Sequence, residues 1–380
     1  MQRYESLDSM RGICACGVVL FHFAASGFLC GLPPVRGGEL FVDFFFVLSG
    51  FVISASYGDR LRGGFSVTRF MALRLGRVYP MHVLMLALFV GIELIAVAVP
   101  SLSPRQAFTG NHSLAGLFNT IFLLQGTMLA EGTSWNTPSW SIVVEIWTYL
   151  ITAIVLRYAG AWFWAVIGAM IALTATQLVV SPEHLLNGQG TSVQRCIYGF
   201  CIGMVGFALY RRYRDRARAL LSLPYAANIG EICLVSLALW LISIAGKGVL
   251  TMLAPPLFMV VVFIFAQEQG VVSRLLLARP MRLLGTLSYS IYMVHMLIYS
   301  RLLDVLRMVG PHVGLDIVRP DGNGGKVIRA AWYVADFWTV AMLAIVILAA
   351  WFTYRFVEVP AREWSRRVAA NIGGRSAVIA

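Results

Sequence analysis

Residues 8–29 read DSMRGICACGVVLFHFAASGFL. The run is apolar, yet it carries Arg11 near one end and His22 well inside. The two lie eleven positions apart. As a helix that is three turns plus ~20°, so both project from one face, ~16 Å apart along the axis. Ionisable groups inside a bilayer are costly and are functional candidates by default. Such a pair suits something long, with an anion at the membrane edge and a reacting atom deeper in.

The rest of the chain supports a membrane reading. Of 380 residues, 59% are hydrophobic and 13% charged, and the mean hydropathy is +0.76. An average soluble domain is excluded, and a polytopic, all-α transmembrane bundle is expected. The first apolar run is read as a retained span, not a signal peptide. The formal charge of +12 is assigned to basic cytoplasmic loops and not to a nucleic-acid partner. The six cysteines show no zinc-like spacing and are read as small hydrophobes.

Runs of ~20 apolar residues mark ten expected spans, at 9–29, 38–56, 79–99, 138–156, 161–180, 194–210, 229–245, 249–266, 284–303 and 331–354. Arginines cluster at 60–77, 211–218, 274–282 and 362–367. All four clusters are cytoplasmic only if an even number of crossings lies between them. That parity holds when 114–130, with Asn119, Gln125 and Gly126, is re-entrant or interfacial. Both termini then face the cytoplasm, and 304–330 is the largest outer loop. Residues 1–366 are read as a single transmembrane domain and 367–380 as a short cytoplasmic tail. A multi-pass protein of the inner (plasma) membrane, in contact with its lipids, is expected.

This topology places polar residues at two depths. The inner layer holds Arg11 with Arg69, Arg74 and Arg77 from the loop entering span three, just before Tyr79-Pro80. Clustered guanidiniums suit phosphate, which they grip in forked pairs; lipid-headgroup contact is the competing reading. The outer layer holds His22, Asp43 and Glu145 at depths within ~5 Å of one another, with His22 about eight residues from the outer end of its span. A carboxylate beside a neutral imidazole fixes its tautomer and stabilises the imidazolium after proton abstraction. His22 is the expected base, with Asp43 or Glu145 as its orienter, and His295 falls at a similar depth as the rival. Glu93 and Asp336 share this layer. His82, His112, His184 and His312 are read as structural. Ser49 lies in the inner half of span two, and no G-x-S-x-G surrounds it. Neither a Walker A loop, a dinucleotide fingerprint nor H-E-x-x-H is present, and no metal is expected.

Six boxes then form a pattern. Leu7-Asp8-Ser9-Met10-Arg11-Gly12 with Phe21-His22 resembles the opening of the acyltransferase-3 family of membrane O-acyltransferases, which carry an Arg-x10-His motif. Val42 to Phe51 is similar to that family's second-helix signature. Arg74-Leu75-Gly76-Arg77-Val78-Tyr79-Pro80 resembles its arginine-rich third box, and Trp140-Ser141-Ile142-Val143-Val144-Glu145 its fourth. Leu287 to Tyr292 with His295, and Tyr354 to Arg362, resemble the last two. The likeness spans residues 4 to 365. Ser9 replaces the usual glycine of the first box, and Ile146 replaces a second acid after Glu145.

The resemblance implies transfer of an acyl group, acetyl by default, from acetyl-CoA to a hydroxyl of an extracytoplasmic glycan or lipid-linked saccharide. His22 and Arg11 would match the family's essential His and Arg. The donor is then expected at Arg11, Arg69, Arg74, Arg77, Tyr79 and Ser49, with the acceptor at Trp140, Ser141, Tyr289 and His295. Polysaccharide synthesis or export machinery is the expected partner. A transporter or flippase of a lipid-linked sugar is the alternative, and the absence of a visible internal repeat counts against it.

Overall fold

The computed structural model describes residues 4–374 apart from 101–105, 128, 131–134, 183, 186–189, 247 and 323–324. Residue 128 of the 114–130 segment, residues 323–324 of the outer loop and the end of the tail thus lie outside the described residues. The main helices are α1 (Glu5–His22), α2 (Phe41–Ile53), α3 (Val67–Ala98), α4 (Leu114–Ile121), α5 (Ser139–Tyr158), α6 (Phe163–Val180), α7 (Ser192–Leu221), α8 (Ala226–Ile244), α9 (Ala254–Phe265), α10 (Val271–Leu276), α11 (Arg279–Val309), α12 (Trp332–Thr353) and α13 (Val359–Gly374). One hairpin, β1 (Val318–Pro320) and β2 (Lys326–Ile328), precedes α12.

Among the described residues, eight helical stretches are long and apolar enough to cross a membrane. They correspond to eight of the ten expected spans. The other two are α1, whose 18 residues include Glu5, Asp8 and Arg11, and the shorter apolar stretch Val249–Phe265. Segment 114–130 yields only the eight-residue α4. That helix is ~12 Å long, too short to cross a bilayer.

Two expected boundaries move. Span one does not reach Leu29: α1 stops at His22, and Phe23 turns extended (φ −82°, ψ 105°). The next residues pair with the hairpin instead. Ile328 N–H donates to Ala24 O (3.0 Å), and Ser26 N–H donates to Ile328 O (2.9 Å). Gly27 then passes so close to Asp336 that a Cβ would overlap its carboxylate. His22 therefore ends its helix, and the segment expected as an outer loop contains β-structure.

The second shift concerns the arginine-rich box, which is helix and not loop. The Ser66 hydroxyl caps α3 by accepting from Arg69 N–H (3.3 Å), as N-cap serines do. The helix continues through Pro80, which removes one internal hydrogen bond. Beyond Arg366, α13 runs on to Gly374.

The chain divides into two compact units. The first comprises residues 1–52, 182–186 and 199–351, and the second 53–181, 187–198 and 352–380. In the first unit α1 packs along α11. A Cβ on Gly12 would overlap the Leu284 carbonyl, and one on Gly285 would overlap the Asp8 carbonyl. Small residues let apolar helices approach to backbone contact, where dispersion and not hydrophobicity holds them together in lipid. Gly50 of α2 meets the Phe200 carbonyl and Gly203 of α7 meets the Val47 carbonyl in the same way. Buried Glu231 of α8 caps α10, accepting from Gly270 N–H (2.9 Å) and Ser273 N–H (2.8 Å).

In the second unit α3 packs on α5 and α13. The segment around α4 is tied down by polar groups. His82 Nε2 donates to Thr120 O (2.9 Å) and the Tyr79 hydroxyl to Ile121 O (3.1 Å). Glu93, 1% exposed, accepts from Phe108 N–H (2.9 Å) and pairs with His112 (2.5 Å). Two single π-helical turns, Ser54–Gly58 and Tyr354–Glu358, also belong to this unit.

Candidate active site

His22 sits in the last turn of α1. Its Nδ1 lies 2.9 Å from the Val18 carbonyl oxygen. A carbonyl only accepts, so Nδ1 carries the proton and Nε2 is left with its lone pair. A backbone group, not a carboxylate, thus sets this tautomer. A helix C-terminus favours a cation in its last turn, so an imidazolium formed on His22 is stabilised there.

His295 on α11 faces it, with ring centroids 5.0 Å apart and planes tilted by 50°. His295 is 0% exposed, whereas His22 is only partly buried. The second ring repeats the arrangement of the first: Nδ1 donates to Tyr292 O at 2.7 Å. Its Nε2 is buried and has no hydrogen-bond partner among the described residues.

At the other end of α1, Arg11 is held by Ser288, Gly285 and Asp8, among other contacts. Nε donates to the Ser288 hydroxyl (2.8 Å), Nη2 donates to Gly285 O (3.3 Å), and Asp8 lies 3.2 Å away. Arg11 and His22 of α1 therefore meet Ser288 and His295 of α11, the two helices running parallel. The Arg11 side chain keeps 26% of its surface exposed. Ser288→Ala would leave Arg11 Nε–H without this acceptor, at a cost of about 1–3 kcal/mol. The expected result is a thermal midpoint a few degrees lower in detergent; an unchanged midpoint would show that the bond contributes nothing.

Other expected site residues in the first unit are Asp43, fully buried on α2, and Ser49 and Tyr289, both half-buried. The remainder lie in the second unit. Glu145 accepts from the Tyr149 hydroxyl (2.7 Å). Trp140 stacks under the guanidinium of Arg195 (5.4 Å to the ring), and the Ser141 hydroxyl donates to Pro138 O (3.1 Å). Arg74 donates to the Tyr57 hydroxyl (3.1 Å) and lies over its ring, while Arg69 lies over Phe65. The Nε–H groups of Arg69 and Arg74 are buried without a hydrogen-bond partner among the described residues. Tyr79 is engaged with Ile121. No group of three or more His, Cys, Asp or Glu suited to a metal ion occurs among the described residues.

Sequence reasoning missed Ser288, Tyr57 and Arg195. Ser288 was findable: it stands seven residues before His295, two helical turns away and so on the same face.

A family model described as an acyltransferase domain, that of the acyltransferase-3 family, matches residues 4–354. The chain belongs to this family. Its Arg-x10-His box is α1, the box ending in His295 is α11, and the two carry the paired histidines. Acyltransferase MdmB of Streptomyces mycarofaciens is 26% identical over 392 residues, covering 94% of this chain and 91% of that protein. The putative peptidoglycan O-acetyltransferase YrhL of Bacillus subtilis (strain 168) is 23% identical over 394 residues, covering 95% of this chain and 56% of that protein. Protein 2 in the picA locus of Rhizobium radiobacter is 28% identical over 191 residues, covering 48% and 96%. No solved structure matches. This acyltransferase-3 member is therefore an acyltransferase with multiple apolar helices of membrane-crossing length.

Proposed function

We propose that this acyltransferase moves an acyl group, acetyl by default, from acyl-CoA to a hydroxyl of an extracytoplasmic saccharide, with His22 as general base. The observation that carries the reading is the His22 tautomer: with Nδ1–H committed to Val18 O, Nε2 is free to accept a proton. The acceptor O–H breaks and its proton passes to Nε2. The oxygen attacks the thioester carbonyl, the C–O bond forms and the C–S bond breaks. The imidazolium then returns its proton to the leaving thiolate. Direct transfer needs no acyl-enzyme. With Val18 O setting the tautomer, Asp43 and Glu145 are proposed to act only as charges that stabilise the imidazolium. Trp140, Ser141 and Tyr289 are proposed to face the acceptor, and Ser49 and Tyr79 the donor. The name of the YrhL relative supports a glycan hydroxyl as acceptor. Residence in the inner membrane beside polysaccharide synthesis or export machinery follows from that reading.

The donor is acetyl-CoA, a substrate and not a resident cofactor. Arg69, Arg74 and Arg77 are proposed to take its phosphates. Two buried guanidinium N–H groups without partners among the described residues are the kind of donor a phosphate oxygen satisfies. Arg11 is proposed as a further donor contact. The test of the whole reading is purified protein incubated with acetyl-labelled acetyl-CoA and its cell-surface saccharide. Label is expected on the saccharide, and label that stays on CoA overturns it.

The phosphate assignment has its own check. Arg74→Ala is expected to raise KM for acetyl-CoA about tenfold, the loss of one charge-assisted hydrogen bond, while leaving KM for acetyl-pantetheine unchanged because that donor lacks the nucleotide phosphates. Equal effects on both donors would remove Arg74 from phosphate binding.

A further inference from the structure

The histidine pair constrains the acceptor more than general base catalysis requires. We propose that His295 is a specificity residue: its Nε2 accepts a hydrogen bond from a second hydroxyl beside the one that His22 deprotonates, so the preferred acceptor is a vicinal diol. This rests on the reading of a saccharide hydroxyl as acceptor.

The argument starts from the proton inventory of the two rings. Each imidazole has one N–H, and each spends it on a carbonyl of its own helix, Val18 O for His22 and Tyr292 O for His295. Nδ1 and Nε2 diverge from opposite sides of Cε1, so each Nε2 is turned away from the carbonyl its ring has bonded. Both rings are then acceptors at Nε2. A charged His295 would reverse this, but a fully enclosed cation is costly, and this ring is 0% exposed. A buried acceptor without a donor costs free energy, and His295 Nε2 is one. The 5.0 Å between centroids puts the two rings within reach of one small group.

That group has to donate twice. A carboxylate or phosphate oxygen brings only lone pairs and is repelled. A lone hydroxyl has one proton and satisfies one ring. Two hydroxyls on adjacent carbons supply two O–H donors about a hydrogen-bond length apart, on the scale of a short O–H···O contact. Exposure divides the roles. His22 is partly accessible and His295 is fully enclosed, so the reacting hydroxyl goes to His22 and its neighbour anchors on His295. The first hydroxyl loses its proton to His22 Nε2 and forms the ester. The second keeps its proton throughout and serves only to position the first.

The test uses purified full-length protein in detergent with acetyl-CoA and three simple alcohols: cis-1,2-cyclohexanediol, trans-1,2-cyclohexanediol and cyclohexanol, with acetyl esters measured by gas chromatography. In the wild type at least one diol is expected to be acetylated about tenfold faster than cyclohexanol, the worth of one hydrogen bond made only by the diol. Having two hydroxyls gives a diol a factor of two by statistics alone. His295→Phe is expected to bring the ratio down to that factor. His295→Gln, whose amide oxygen still accepts, is expected to hold an intermediate ratio, and unchanged elution on size exclusion shows that both variants fold. A wild-type ratio near two overturns the proposal, as does a His295→Phe variant that slows all three alcohols in proportion, the mark of a packing role. If cyclohexanol is acetylated and the diols are no faster, acyl transfer stands without diol selection. If no ester forms, diol selection falls; if acetyl-CoA is then also left intact, the acyltransferase reading of His22 falls with it.

Discussion

His22→Ala is expected to lower acyl transfer by about 10²–10⁴-fold, the usual contribution of a positioned general base, while the protein still elutes as a folded species in detergent. The loss has three physical parts. The proton acceptor disappears. The Val18 carbonyl loses the N–H that fixed the tautomer. The end of α1, which favours a cation in its last turn, no longer has an imidazolium to stabilise. Folding should survive because the side chain is half-buried at a helix end, and the backbone beyond it is anchored independently through Ala24 and Ser26. The measurement is release of CoA and appearance of ester in the presence of acceptor. Wild-type rates in the purified variant would remove His22 as the base.

Gly285→Leu is expected to have the larger effect on the fold. Gly285 of α11 lies against the Asp8 carbonyl and the Ser9 amide of α1. Backbone atoms cannot swing away as a flexible side chain does, so a four-carbon side chain can only push the helices apart. Overpacking a core by a few methylenes already costs about 1–3 kcal/mol, and here the separation would also strip Arg11 from Ser288 and His22 from His295. Little or no monodisperse protein is expected on size exclusion. Gly91→Leu is the control, since nothing lies within 4 Å of a Cβ at that position; it should elute as wild type. A Gly285→Leu protein with wild-type elution and thermal midpoint would show that the crossing is not tight.

Hydropathy made the long helices legible because the signal is local: ~20 apolar residues in a row are enough to identify each one. The same criterion could not see where α1 ends. Residues 23–29 stay apolar, yet they leave the helix because Ile328, some three hundred positions away, offers them strand pairing. No window on the sequence contains that competition. The hairpin itself was invisible for a related reason, since three-residue strands carry too few alternations to form a pattern. The arginine-rich box reads as loop because its charges keep it out of any ~20-residue apolar run, whereas a helix capped by Ser66 carries it and continues through Pro80.

The site divides along the same line. The Arg11–His22 spacing is a within-helix quantity and could be computed from residue numbers. The groups that hold both ends of it, Ser288, Val18 O and His295, come from a second helix or from the backbone, and sequence reveals neither directly. The depth match between His22 and the two acids assumed a span that continued to Leu29. With His22 at the terminus of α1, that premise no longer holds, and Asp43 and Glu145 have to be tested on their own.

The Arg11–Ser288 bond joins residues 277 positions apart, and this has a consequence during synthesis. At ~5–20 residues per second, α1 is complete roughly fifteen to fifty seconds before Ser288 is translated. Throughout that interval a guanidinium waits in or near lipid without its final acceptor. Asp8, one turn earlier on the same helix, is made within a second of it and can neutralise it at once. The carboxylate that pairs with Arg11 in the finished protein is therefore at hand for a nascent helix well before the late partner is made.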